Sequence, residues 1–161
     1  MSNKPISLLM HSWIKETGYP LVSLDLNETT GAITVTQSRF LVSQDSKQQA
    51  TTTVATPTWW LPLLLTTSAT AGSDPITCSL FEGANSSIKQ EVVDGAVIGW
   101  ETLKQDSDWW IKANSYQTGF FRVKYPPFLL QRLGTALRKK KLHASDRLGR
   151  TSLQFLNPNS L

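Results

Sequence analysis

The chain has 161 residues, 40% hydrophobic and 17% charged, with six Trp and six Phe, enough to enclose one core but too few for several. Its one cysteine, Cys78, excludes an intrachain disulfide, and in the apolar run Ile76 to Phe81 it reads as a small core side chain. The net charge of +4 belongs to one end: residues 1–125 carry nine Lys and Arg against eleven Asp and Glu, and residues 126–161 carry seven against one.

The basic run Arg138 to Lys141 stands apart from every Trp, so it reads as a solvated helix end and no nucleic-acid partner is expected. The apolar stretch Ile6 to Met10 is broken by His11, Lys15 and Glu16 with no small-residue cleavage site after it, so no secretory leader is expected. The longest apolar run, Trp59 to Leu65, contains Pro62 and has about a third of the length of a membrane-spanning helix. The expectation is a soluble, cytoplasmic chain with no membrane span.

From Ile6 to Thr17 the spacing predicts a helix with Ile6, Leu9, Met10 and Trp13 on one face. Asn3 suits its start, Gly18 its close, and Pro20 prevents its resumption. The period then changes to two: Val22, Leu24 and Leu26 alternate with Leu21, Ser23 and Asp25, as on a half-buried strand. Asn27, Thr29, Thr30 and Gly31 mark a turn into a second strand over Ala32 to Val42, giving a hairpin. Ser43 to Thr58 lacks large apolar side chains and is expected to form a mobile loop.

Strands are predicted over Trp59 to Thr67, Ile76 to Phe81, Ser87 to Val93, Val97 to Leu103, Trp109 to Ala113 and Phe120 to Tyr125. Pro62 restricts the first to an edge or a bulge, because proline cannot donate to a ladder. After Pro126, Pro127 can open a helix with Leu130, Leu133 and Leu137 on one stripe, weakened by Gly134. Ser145 is placed to cap another helix beginning at Asp146. The predicted fold class is mainly β: a β-sandwich with a short N-terminal helix and a C-terminal helical fragment.

No chemical signature accompanies this fold. Zinc hydrolysis through HExxH needs two histidines one helical turn apart with a glutamate between them. The two histidines here, His11 and His143, lie at opposite ends of the chain and neither is followed by glutamate. No GxSxG elbow, P-loop or dinucleotide-binding glycine pattern occurs. No catalytic, cofactor-binding or metal-binding residue is therefore expected in this chain.

Ile111, Lys112, Asn114, Gln117, Thr118, Gly119, Phe120, Arg122, Val123 and Tyr125 spell a pattern of Ile-Lys-x-Asn, Gln-Thr-Gly and Phe-Tyr-Arg-Val-x-Tyr, with Phe121 in place of the second Tyr. This resembles the final strand pair of the β-sandwich domain in puromycin-sensitive-type zinc aminopeptidases, expected here as a hairpin. Four further stretches resemble that family in its order. They are His11 to Pro20 (Trp-x-x-Gln-x-Gly-Tyr-Pro, with Glu16 for Gln), Thr36 to Leu41 (Gln-x-Arg-Phe), Trp59 to Leu63 (Trp-x-x-Pro), and Leu142 with Ala144 to Arg147 (Leu-Ser-Ala-Thr-Asp-Arg, with His143 departing).

The resemblance implies residues 1–18 as the end of a catalytic-domain helix, 19–125 as the sandwich and 126–161 as the start of a helical domain. The family's zinc motif and its Gly-x-Met-Glu-Asn substrate motif are missing, so zinc and peptide substrates belong to a full-length enzyme and this chain is expected to be inactive alone. The likeness stops after Gly149, which suggests a truncated or frame-altered product. Two other readings stay open. A free-standing module would use one exposed ring from each of the pairs Trp59–Trp60 and Trp109–Trp110 to bind carbohydrate or peptide. An interaction protein would instead use its helices at a domain interface.

Overall fold

Val22, Leu24 and Leu26 alternate with polar residues because they line the inner face of strand β1 (Pro20–Leu26). In the computed structural model, which describes residues 5–40, 57–80 and 90–148, β1 pairs antiparallel with β2 (Ile33–Arg39) as the turn residues predict. The Asn27 side chain holds that turn by accepting from the Thr29 and Thr30 amides. Gly31 completes it at φ 72, where a Cβ would stand 2.1 Å from the Trp100 ring.

Two sheets form. The first has the order β5 (Gln90–Val93), β2, β1, β7 (Arg122–Lys124), with β1 and β7 parallel. The second places β3 (Pro62–Thr67) between β4 (Ile76–Leu80) and β6 (Ile111–Ala113). Both contribute to one core: Val22, Ile33 and Val35 from the first sheet, Leu63, Leu65 and Ile111 from the second. Fully burying a side chain of this size is worth ~1.5–3 kcal/mol. The fold is mainly β, as expected. Pro62 begins β3, beside a register irregularity against β4, so the ladder loses nothing to its missing N–H.

Several expectations are corrected. Helix α1 (Ile6–Lys15) turns Leu9, Ser12 and Trp13 inward and leaves Ile6 and Met10 in solvent, because Trp13 is drawn in by an indole hydrogen bond to the Trp60 carbonyl, 2.9 Å. Val97 to Leu103 is not a strand. Gly99, at φ 65, opens the one-turn helix α2 (Trp100–Leu103), and Trp100 and Leu103, three apart, both face the core. Helix α3 (Pro127–Arg138) does open on Pro127, but its innermost stripe is Leu129, Leu133 and Ala136, with Leu130 and Leu137 on the flanks. Helix α4 (Ala144–Leu148) begins before Ser145, so Ser145 lies inside it.

The indoles of Trp59, Trp60, Trp109 and Trp110 are all buried, which removes the exposed aromatic platform that a carbohydrate-binding module would need. Among the described residues the Trp59 and Trp110 indole N–H groups have no hydrogen-bond partner. Asn3, Phe81, residues 41–56, residues 87–89 and the chain after 148 lie outside the described residues, as does the Cys78 side chain.

Candidate functional site

Strand β6 ends at a corner, not a hairpin. β6 pairs with β3 in one sheet and β7 with β1 in the other, so the chain from Ala113 to Arg122 crosses between sheets. The crossing needs backbone that few residues adopt: Asn114, Tyr116 and Gln117 have φ of 53, 59 and 55. Asn114 locks the reversal with its amide. Its Oδ1 accepts from the Gly119 N–H at 2.8 Å, and its Nδ2 donates to the Gly119 and Phe121 carbonyls at 2.9 and 3.2 Å. Gly119 is required by space, since a Cβ there would stand 2.2 Å from the Phe121 ring. That ring is buried, so the replacement of Tyr by Phe at this position keeps the packing.

Beneath the corner lies a buried polar cluster. The Lys112 ammonium donates to the carbonyls of Ala113 and Asn114, each at 3.1 Å, and stands 2.9 Å from Asp146 Oδ1 on α4. That oxygen falls outside hydrogen-bond geometry, but opposite charges this close and this buried make an ion pair. Burial lowers the Lys112 pKa, and the nearby Asp146 carboxylate partly offsets the effect. The Tyr125 hydroxyl accepts from the Ala113 N–H at 2.9 Å and donates to the Ala113 carbonyl at 3.2 Å. Gln117 Nε2 adds a bond to the Ser145 carbonyl at 2.7 Å, so α4 is tied to the corner twice.

The other sequence motifs make ties of the same kind. Gln37 brackets the Trp59 backbone, donating to its carbonyl and accepting from its amide. Arg39 donates to the Thr17 hydroxyl at 2.8 Å beside Gly18. Arg122 lies over the Phe40 ring, 4.3 Å from its centroid, with Tyr19 stacked on Phe40. Ser115 was missed by sequence reasoning. Its buried hydroxyl accepts from Thr66 at 2.7 Å and donates to the Leu64 carbonyl, and no local pattern signals a bond to a strand so far away in the chain.

His11 lies exposed on α1, and His143 sits before α4 with its ring against Tyr116. Among the described residues no three His, Cys, Asp or Glu side chains gather as metal ligands. The donor set a zinc ion needs is therefore not present in them. Nor is any described helix long and apolar enough to cross a membrane.

No family model matches the chain. It is 34% identical to aminopeptidase M1-A of Oryza sativa subsp. japonica over 92% of its own length. This chain is similar to a segment of M1 aminopeptidases. It is likewise 29% identical to aminopeptidase M1 of Arabidopsis thaliana and 28% identical to aminopeptidase A of Gloydius brevicauda, each over 92% of the chain. It spans about 15% of the length of these relatives. The aminopeptidase-like segment contains the Lys112–Asp146 pair and the Asn114 corner, whose contacts bind one element of the fold to another.

Proposed function

We propose that the chain is the non-catalytic β-sandwich of an M1 aminopeptidase of the puromycin-sensitive type, acting as a spacer between a catalytic unit and a helical domain. The observation that carries this is the tie between sheet and helix: Lys112 on β6 and Asp146 on α4 pair in a buried setting. The proposed division is residues 1–18 as the end of a catalytic-domain helix, 19–125 as the spacer and 126–161 as the start of the helical domain. Removal of N-terminal amino acids from peptides, and the zinc it requires, belong to the longer enzyme, and a cytoplasmic setting is part of the same proposal.

Metal content of the purified chain, measured by mass spectrometry beside a fluorogenic aminopeptidase assay, tests this. Sub-stoichiometric zinc with no turnover is expected. One tightly held zinc with turnover overturns it.

A second reading, an interaction protein that competes for domain interfaces of such an enzyme, draws on the solvent-facing Ile6, Met10 and Ile14 of α1. Its test is co-purification with a full-length homologue, and failure to co-purify would count against it.

A further inference from the structure

A cavity of about 350 Å³ opens beside the corner, bordered by Tyr19, Lys112, Asn114, Phe120, Arg122 and Asp146 among others. This volume lies at the small end of the range for small-molecule sites. Most polar groups on its wall are already satisfied. Lys112 spends its protons on two carbonyls and Asp146, Tyr125 uses its hydroxyl both ways, Asn114 closes on Gly119 and Phe121, and Gln117 reaches Ser145.

Two charged groups remain. Asp146 is 3% exposed; its Oδ1 faces the Lys112 ammonium at 2.9 Å, and its second oxygen receives no hydrogen bond from the described residues. A carboxylate can accept about four hydrogen bonds, and a buried one is costly until its lone pairs are matched. Arg122 lies over the faces of Phe40 and Tyr19, and among the described residues none accepts a hydrogen bond from its guanidinium.

The complement of such a wall carries a donor cation and an acceptor anion together. A simple cation would add to the excess positive charge of Lys112 and Arg122 over Asp146, and a simple anion would leave the second Asp146 oxygen without a donor. The rim adds an apolar preference: Phe120 is 74% exposed and its ring centroid lies 5.3 Å from that of Tyr19.

We propose that this cavity binds a free aliphatic α-amino acid, with its ammonium on Asp146, its carboxylate on Arg122 and its side chain against Tyr19 and Phe120. A chain with no peptidase role would bind it equally well.

The test is an amide NMR titration of the full chain with L-leucine, N-acetyl-L-leucine and L-leucine amide. Leucine should give saturable shifts around residues 119–122, and each capped form, lacking one ionic group, should bind about tenfold more weakly or worse. Arg122→Gln should reduce leucine to the affinity of leucine amide and leave leucine amide unchanged. Phe120→Ala, at an exposed position with little bearing on folding, should weaken leucine but not glycine. Absence of saturation, equal binding of a capped form, or indifference to both substitutions overturns the proposal.

Discussion

Lys112 and Asp146 stand 2.9 Å apart with side chains 7% and 4% exposed, and they are the charged contact between the second sheet and the last described helix. A buried pair of this kind is weak as a source of net stability, because desolvation consumes most of the attraction, yet each partner is costly to leave alone.

Lys112→Ala should therefore destabilise the chain by about 3–5 kcal/mol, since Asp146 is left buried and unpaired. The double substitution Lys112→Met with Asp146→Leu should cost less than either Lys112→Ala or Asp146→Ala. Urea denaturation of the variants gives the comparison, and a double variant less stable than both singles would refute it.

Tyr125 gives the chain an alkaline dependence. Burial, opposed by the hydrogen bond with Ala113, raises its phenol far above the ordinary value of 10.0. The unfolded chain ionises this phenol above pH 10.0 and the folded chain does not, so the contribution is complete below that pH and is lost as pH rises beyond it. Lys112 acts in the opposite direction. Its pKa is lowered by burial, so the unfolded chain holds that proton longer and stability rises with pH between the lowered value and 10.5. Tyr125→Phe should cost about 1–3 kcal/mol at neutral pH by orphaning the Ala113 amide. It should also flatten the loss of stability above pH 10.0, read from denaturation midpoints across the alkaline range.

Asn114 combines a left-handed backbone with three side-chain hydrogen bonds. Asn114→Ala should lose both, the backbone part alone being about 1–2 kcal/mol. Asn114→Gly should recover only the backbone part and fall between the two. Thermal unfolding that ranks Gly below Ala would contradict this account of the corner.

Glycines at different sites should respond with opposite signs to alanine. Gly134 lies inside α3 with a negative φ, and a Cβ there would meet nothing nearer than Arg138 at 3.8 Å. Gly134→Ala should stabilise by about 0.5–1 kcal/mol. Gly31→Ala should destabilise, since its Cβ would overlap the Trp100 ring at 2.1 Å on a backbone at φ 72. Calorimetric melting temperatures should move up for the first variant and down for the second.

Much of the local structure was legible because it depends on neighbours in sequence. Alternation at Val22, Leu24 and Leu26 marked β1, Asn27 to Gly31 marked its turn, and Pro127 marked the start of α3. Val97 to Leu103 misled because so short a stretch, with Val97, Ile98, Trp100 and Leu103 as its apolar residues, has no unique period, and the left-handed Gly99 favoured one helical turn. Helix α1 misled for a different reason: two apolar stripes shared one short helix, and the Trp13 indole bond to the Trp60 carbonyl selected between them.

By itself the sequence determined where most strands and helices begin and turn, through backbone preference and hydrophobic period. It also supplied the ordered motifs that resemble those of aminopeptidases. Only the tertiary structure decided that β6 and β7 enter different sheets, that Gln37 closes on Trp59, and that Lys112 finds Asp146. The physical reason is range: φ preferences and periodicity act over a few residues. Sheet membership and buried polar pairing depend on which distant groups share a desolvated space, and no local pattern encodes that.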